Sequence, residues 1–115
     1  MRIYIAGPYG RRQGNSLEEC EYNVMQAIVC ARSLIKLGHT PFVPVLYHYI
    51  HKGWFETLDE DEWLTLCLAW VPHCEALFRL PGYSLGADSE VDLASHLELL
   101  IYYNINEVPK VKIAL

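Results

Sequence analysis

Short runs of apolar and β-branched residues alternate along this chain with longer stretches of helical spacing. Arg2 to Ala6 is the first run, and Gly7-Pro8-Tyr9-Gly10 closes it. Thr40 to Leu46, Ala76 to Leu80 and Leu100 to Tyr103 follow. Strands alternating with helices predict an α/β fold, with a mainly parallel sheet covered by helices on both faces. Val111 to Leu115 is a candidate fifth strand or a docked tail, so the expected sheet has four or five strands. Such sheets bind ligands at the carboxyl ends of their strands, which puts Gly7-Pro8-Tyr9 and the segment from Pro81 to Glu90 on one rim.

The punctuation supports these elements. Ser16 with Glu19 three residues later is a capping-box pattern. Apolar residues then recur at Leu17, Val24, Ala27, Ile28, Ala31, Leu34 and Ile35, and Gly38 is the expected stop. Pro41 and Pro44 mark Thr40 to Leu46 as an edge strand. His48 to Leu58 reads as a loop rich in aromatics and histidines. Thr57 or Asp59 is a candidate cap for a second helix running to about Val71. A third helix is expected from about Ala87 or Asp88 to Leu99, with Val91, Leu93, Ala94, Leu97 and Leu100 as its apolar stripe.

With 115 residues, of which 52% are hydrophobic, the chain fits one domain, 1–115, that needs no disulfide or metal to complete its core. Cys20, Cys30, Cys67 and Cys74 form no C-x-x-C pair. Met1-Arg2 leads straight into a strand with no export signal, so reduced thiols and a cytoplasmic location are expected. No apolar run reaches the length of a membrane span. The net charge of −5 argues against a broad nucleic-acid-binding face but leaves room for a small anionic ligand. Arg11-Arg12 is the one adjacent basic pair, and it falls in the first loop.

The segment from Leu80 to Glu90 carries the chemistry. A buried strand breaks at Pro81-Gly82, small residues follow, and a helix begins. Free backbone N–H groups at that helix start attract phosphate or developing negative charge. Glu90 follows about one turn in, where the helix N-terminus is expected to keep it ionised. A cradle followed by a carboxylate points to sugar or nucleotide chemistry.

Ile3-Tyr4-Ile5-Ala6-Gly7-Pro8-Tyr9, Cys74 to Gly82 and Ser84-Leu85-Gly86-Ala87-Asp88-Ser89-Glu90 resemble the nucleoside 2-deoxyribosyltransferase superfamily, which includes 2′-deoxynucleoside 5′-monophosphate N-hydrolases. The likeness runs through nearly the whole chain to Pro109. It implies a flavodoxin-like (Rossmann-like) three-layer sandwich. It also implies Glu90 as the nucleophile of an S-x-G-x-x-x-E pattern with Ser84 and Gly86, Tyr4 as the residue that orients nucleophile and sugar, and Gly7 as a point of close ligand approach. Ser84 and nearby amides, including Ala87, would contact the 5′ end of the sugar or its phosphate. No metal or organic cofactor is implied. Family members close their pockets with a neighbouring subunit, so a homodimer or larger even assembly is expected.

One departure stands out. The family carries an aspartate eight residues before the acidic residue that opens the third strand, and counting back from Glu75 lands on Cys67. Asp59, Asp61 and Glu62 replace it only with a shift of helix register. Glu75 itself stands where the family prefers aspartate.

The reading is therefore cleavage or transfer at the N-glycosidic bond of a (deoxy)nucleoside or its 5′-monophosphate, through a glutamate-bound sugar. Pro8, Tyr9, Arg11, Arg12 and His48 complete the substrate-binding set, and Tyr47 and Trp54 are candidates for stacking on the base. The alternative is a non-catalytic nucleotide-binding or sequestering module, which Cys67 favours. Each residue also has a plainer role. Glu90 fits a first-turn acid, Ser84 an ordinary cap, Tyr4 a strand aromatic, Arg11-Arg12 a solvated loop, and Cys67 a core thiol. His48 and His51 lack a third metal ligand, and Trp63 and Trp70, seven apart, fit a core or interface face.

Overall fold

The computed structural model describes residues 1–10 and 14–112. Four strands form one parallel sheet in the order β2-β1-β3-β4: β1 (Arg2–Ala6), β2 (Thr40–Phe42), β3 (Ala76–Arg79) and β4 (Leu100–Tyr102). Tyr4 of β1 lies opposite Phe42 of β2 on one side and Leu77 of β3 on the other. β2 is an edge strand, as its prolines predict.

Alternation along β1 and β3 sends side chains to two separate cores. On one face Ile3, Ile5, Ala76 and Phe78 pack against Ala27, Cys30, Ala31 and Leu34 of α1 (Leu17–Lys36). On the other, Tyr4, Ala6 and Leu77 pack with Ala87 and Ala94 of α4 (Leu85–His96) and with Val71. The result is the α/β sandwich with helices on both faces that the alternation predicts. Ser16 and Glu19 make the reciprocal capping box at the start of α1. At its end Gly38 takes φ +93°, and a Cβ there would stand 2.3 Å from the Val111 carbonyl oxygen.

Several boundaries differ from the sequence reading. β2 stops at Phe42 because a 3₁₀ turn, Pro44–Tyr47, begins with a proline that has no N–H to extend the ladder. The expected loop from His48 contains a helical turn, α2 (His48–His51). Asp59 caps α3 (Glu60–Leu68) in a second capping box with Glu62, but α3 ends at Leu68, and Pro72 sits in a separate 3₁₀ turn, Val71–His73. α4 begins at Leu85 because Ser84, in extended conformation, caps it through a 3.0 Å bond from the Ala87 N–H. It ends at His96, and Glu98 then takes a left-handed φ of 62°.

Val111 docks through its N–H on the Leu37 carbonyl at 2.9 Å, outside any strand. The rest of the candidate fifth strand, 113–115, lies outside the described residues. Buried His39 ties the chain's ends together: Nδ1 accepts from the Met1 ammonium at 2.9 Å, and Nε2 donates to the Pro109 carbonyl at 2.6 Å. None of the four cysteines is in a disulfide. No described helix is long and apolar enough to cross a membrane.

Candidate active site

A cavity of about 550 Å³ opens at the carboxyl ends of β1 and β3. That is within the range of small-molecule sites. Its walls come from the β1 exit (Gly7, Tyr9, Gly10), the α2 region (Pro44, Val45, Tyr47, His48, His51), α3 (Glu60, Asp61, Trp63, Leu64, Cys67) and the start of α4 (Tyr83 to Ala87, Ser89, Glu90). The two rim segments expected to meet do meet.

Glu90 is the sixth residue of α4, not a first-turn acid. Its neighbours at helical spacing, Ala87 and Ala94, are buried against the sheet, and Glu90 is buried on the same stripe with 6% of its surface exposed. Two small residues around a long one let the carboxyl sit under the helix at the cavity floor. Burial pushes its pKa up to about 8, and Oε2 has no hydrogen-bond partner. The expectation that the helix N-terminus keeps it ionised is thus overturned. The helix end is about one and a half turns away, beyond the first turn where the dipole acts, and desolvation dominates.

Tyr4 lies wholly within the core beneath α4, and its hydroxyl is also buried without a partner. It does not line the cavity. Its ring packs on Phe42 at 5.6 Å. Buried polar atoms without partners are uncommon, and they mark functional sites more often than ordinary core. Here Glu90 Oε2, His48 Nε2 and Trp63 Nε1 all belong to cavity-lining residues.

Gly7, Tyr9, His48, Ser84, Gly86 and Ala87 line the cavity, whereas Pro8 does not. Pro8 backs the loop instead: a Cβ on Gly82 would meet its Cγ at 3.1 Å. Gly7 answers first to packing, because a Cβ there would stand 2.9 Å from Leu80 Cδ1. Gly86 is different, since a Cβ there meets only Leu64 and Ser84 at 3.8 and 3.9 Å, ordinary contact distances. Ser84 spends its hydroxyl as a helix-cap acceptor, which leaves the earlier N–H groups of α4 for a ligand. Arg11 and Arg12 lie outside the described residues.

His48 is buried, and its Nδ1 makes a short hydrogen bond with the Tyr9 hydroxyl. His51 Nε2 bonds the same hydroxyl. His48 Nε2 faces Glu21 Oε1 at 3.6 Å, and Lys52 holds Glu21 at 2.8 Å. Among the described residues no three histidine, cysteine or acidic side chains are set to hold a metal ion.

Cys67 lines the cavity where a carboxylate was expected, and burial raises its pKa to about 11. Glu60 and Asp61 reach the wall from the first turn of α3. Glu75 is elsewhere, accepting from the Arg2 backbone N–H at 3.1 Å. Trp54 is not in the wall; Trp63 is, and it stacks on Tyr47 at 5.4 Å. Trp70 lies beyond the end of α3, half-exposed, and packs on Phe42 at 4.8 Å. It does not share a helix face with Trp63.

Sequence reasoning missed Arg79. Its guanidinium donates to the Leu80 and Gly82 carbonyls and pairs with Asp88 at 3.0 Å, clamping the 80–82 turn onto α4. A cation ending a buried strand, nine residues before an acid in the next helix, was the available signal.

No protein-family model and no curated protein matches this sequence. Solved structures do match. A 2-deoxyribosyltransferase from Leishmania mexicana superposes with a TM-score of 0.57 at 15% identity, over 87% of this chain and 61% of that one. This chain therefore spans less than two thirds of that relative's length. A 2-deoxyribosyltransferase from the psychrotolerant bacterium Bacillus psychrosaccharolyticus superposes with a TM-score of 0.57 at 17% identity, over 97% of this chain and 93% of that one. At these identities the likeness is one of architecture: the chain shares the α/β fold of solved 2-deoxyribosyltransferases.

Proposed function

We propose that this chain, acting as a single unit over residues 1–115, cleaves the N-glycosidic bond of a (deoxy)nucleoside or its 5′-monophosphate. The observation that carries the reading is Glu90, a buried carboxyl with an unpartnered oxygen on the floor of a cavity at the sheet's carboxyl end. Retaining glycosidases use such a group to attack an anomeric carbon and hold the sugar as an ester. The early amides of α4 and the Arg11-Arg12 pair would receive the 5′ end, and Tyr47 and Trp63 would flank the base. Tyr4, packed with Ala87 and Ala94 of the same helix, would orient the carboxyl once a ligand is bound. Water resolving the ester gives a hydrolase, and a second base gives a transferase.

An even homo-oligomer belongs to the same proposal. Phe55 is 98% exposed, and Tyr49, Ile50 and Trp54 are exposed in the same part of the chain. Large exposed apolar side chains grouped in one segment favour an interface.

Incubation with deoxynucleosides and their monophosphates should release free base, and Glu90→Ala should abolish the release. Wild-type rates in Glu90→Ala would sink the mechanism. The second reading, a nucleotide-binding module, draws on Cys67, a neutral thiol in the wall. It predicts calorimetric binding of a nucleotide with no base release over days.

A further inference from the structure

Breaking an N-glycosidic bond leaves an electron pair on the base, which departs far more easily if a proton arrives with it. The cavity wall offers several groups for this task. Glu60 and Asp61 sit in the first turn of α3, at the wall. The Cys67 thiol holds its proton tightly. Tyr47 accepts from Trp70 Nε1 at 3.1 Å and has no described link to a proton store. Tyr9 has such a link. Tyr9 lines the cavity with Glu90, its hydroxyl bonds His48 Nδ1, and the far nitrogen of that imidazole faces the Glu21 carboxylate at 3.6 Å. Glu21 is 41% exposed at its side chain, so the chain of groups runs from the cavity through a fully buried imidazole to solvent.

Resting on the glycosidase reading above, we infer that Tyr9 delivers the proton to the departing base and that His48, paired with Glu21, resupplies it. The proton count constrains the Tyr9 hydroxyl. One phenolic proton cannot serve two ring nitrogens, so Tyr9 donates to one imidazole and accepts from the other. Glu21 Oε1 faces His48 Nε2 at 3.6 Å, and Lys52 first, then His48, holds that carboxyl below the usual carboxylate range. In the relay His48 carries one proton on Nε2 towards Glu21 and donates the other from Nδ1 to the Tyr9 oxygen, and Tyr9 O–H points to His51 Nε2 or to a ligand that takes its place.

In the first step a Glu90 oxygen bonds to the anomeric carbon as the carbon–nitrogen bond breaks. The electron pair goes to the base, the Tyr9 proton moves to a base nitrogen, and the Nδ1 proton of His48 moves to the Tyr9 oxygen. His48 is left neutral, with its proton on Nε2 towards Glu21. In hydrolysis water then attacks the anomeric carbon, the ester pair returns to Glu90, and the water proton travels through Tyr9 back to Nδ1. Tyr9 is the catalytic residue, and His48 acts through it.

The test compares leaving groups. Wild type, Tyr9→Phe and His48→Gln are assayed on a deoxynucleoside 5′-monophosphate and on 4-nitrophenyl 2-deoxyriboside 5-phosphate, whose phenolate leaves without a proton. Both variants should lose about 10²- to 10³-fold in kcat on the nucleotide but less than about fivefold on the aryl substrate. Equal losses on both substrates would mean a binding or folding role and overturn the relay, as would unchanged nucleotide turnover. Tyr9→Phe removes a single oxygen, so it decides the matter alone if His48→Gln unfolds. A wild-type protein that cleaves neither substrate overturns the glycosidase reading and the relay together. An active wild type with equal losses overturns only the relay.

Discussion

Glu90 meets two opposed demands. Packing between Ala87 and Ala94 favours a neutral carboxyl, whereas nucleophilic attack needs a carboxylate. With its pKa raised to about 8, the ionised fraction grows as the pH rises through that value. The kcat/KM for the nucleotide should therefore climb from pH 6 towards pH 8 in a steady-state pH profile. A profile already flat at pH 6 would contradict the burial argument. Stability should run the other way. A group whose folded pKa lies above its ordinary 4.5 stabilises fully below pH 4.5 and loses that contribution as the pH rises through about 8. The span is on the order of 5 kcal/mol. Denaturant titrations should accordingly find Glu90→Gln more stable than wild type at pH 8 and the difference shrinking near pH 4. Gly86 supplies a second residue-level prediction. Gly86→Ala should hold or raise Tm, since alanine is favoured over glycine in a helix by about 1 kcal/mol, while the added methyl in the cavity wall weakens nucleotide binding severalfold by calorimetry.

At the level of elements, Ser84, Asp59 and Ser16 set helix starts by side-chain capping, and Gly38 sets a helix end. Gly38→Ala forces a Cβ into the Val111 carbonyl at a positive φ, so it should lower stability by about 2 kcal/mol or more and free the docked tail, as read by denaturant melts and amide exchange around Val111. These elements explain how much was legible in advance. Capping boxes, proline at an edge and alternating apolar runs act locally, so the strands, helices and rim could be read from the chain. The start of α4 was misjudged because small residues after Pro81-Gly82 suit a loop as well as a helix, and only the Ser84-to-Ala87 bond settles it. Glu90's charge state was misjudged for a related reason: burial depends on what covers the side chain, which no local pattern records. The Tyr9–His48–Glu21 line joins three distant segments and was invisible for the same reason.

Across the whole molecule, two cores on opposite faces of one sheet fix the carboxyl-end rim, and four separate chain segments wall the cavity there. The cavity opens beside the segment that exposes Phe55, Trp54, Tyr49 and Ile50. Analytical ultracentrifugation should find an even oligomer, and Phe55→Asp should shift it towards monomer; a monomeric wild type at micromolar concentration would contradict the assembly.

The central claim is that Glu90 holds the sugar. Acid quenching during turnover of a deoxynucleoside 5′-monophosphate, followed by peptide mass mapping, tests it directly. The account predicts a deoxyribose phosphate ester on the peptide containing Glu90, absent in Glu90→Gln. Base release with no adduct on that peptide, and undiminished in Glu90→Gln, would contradict it.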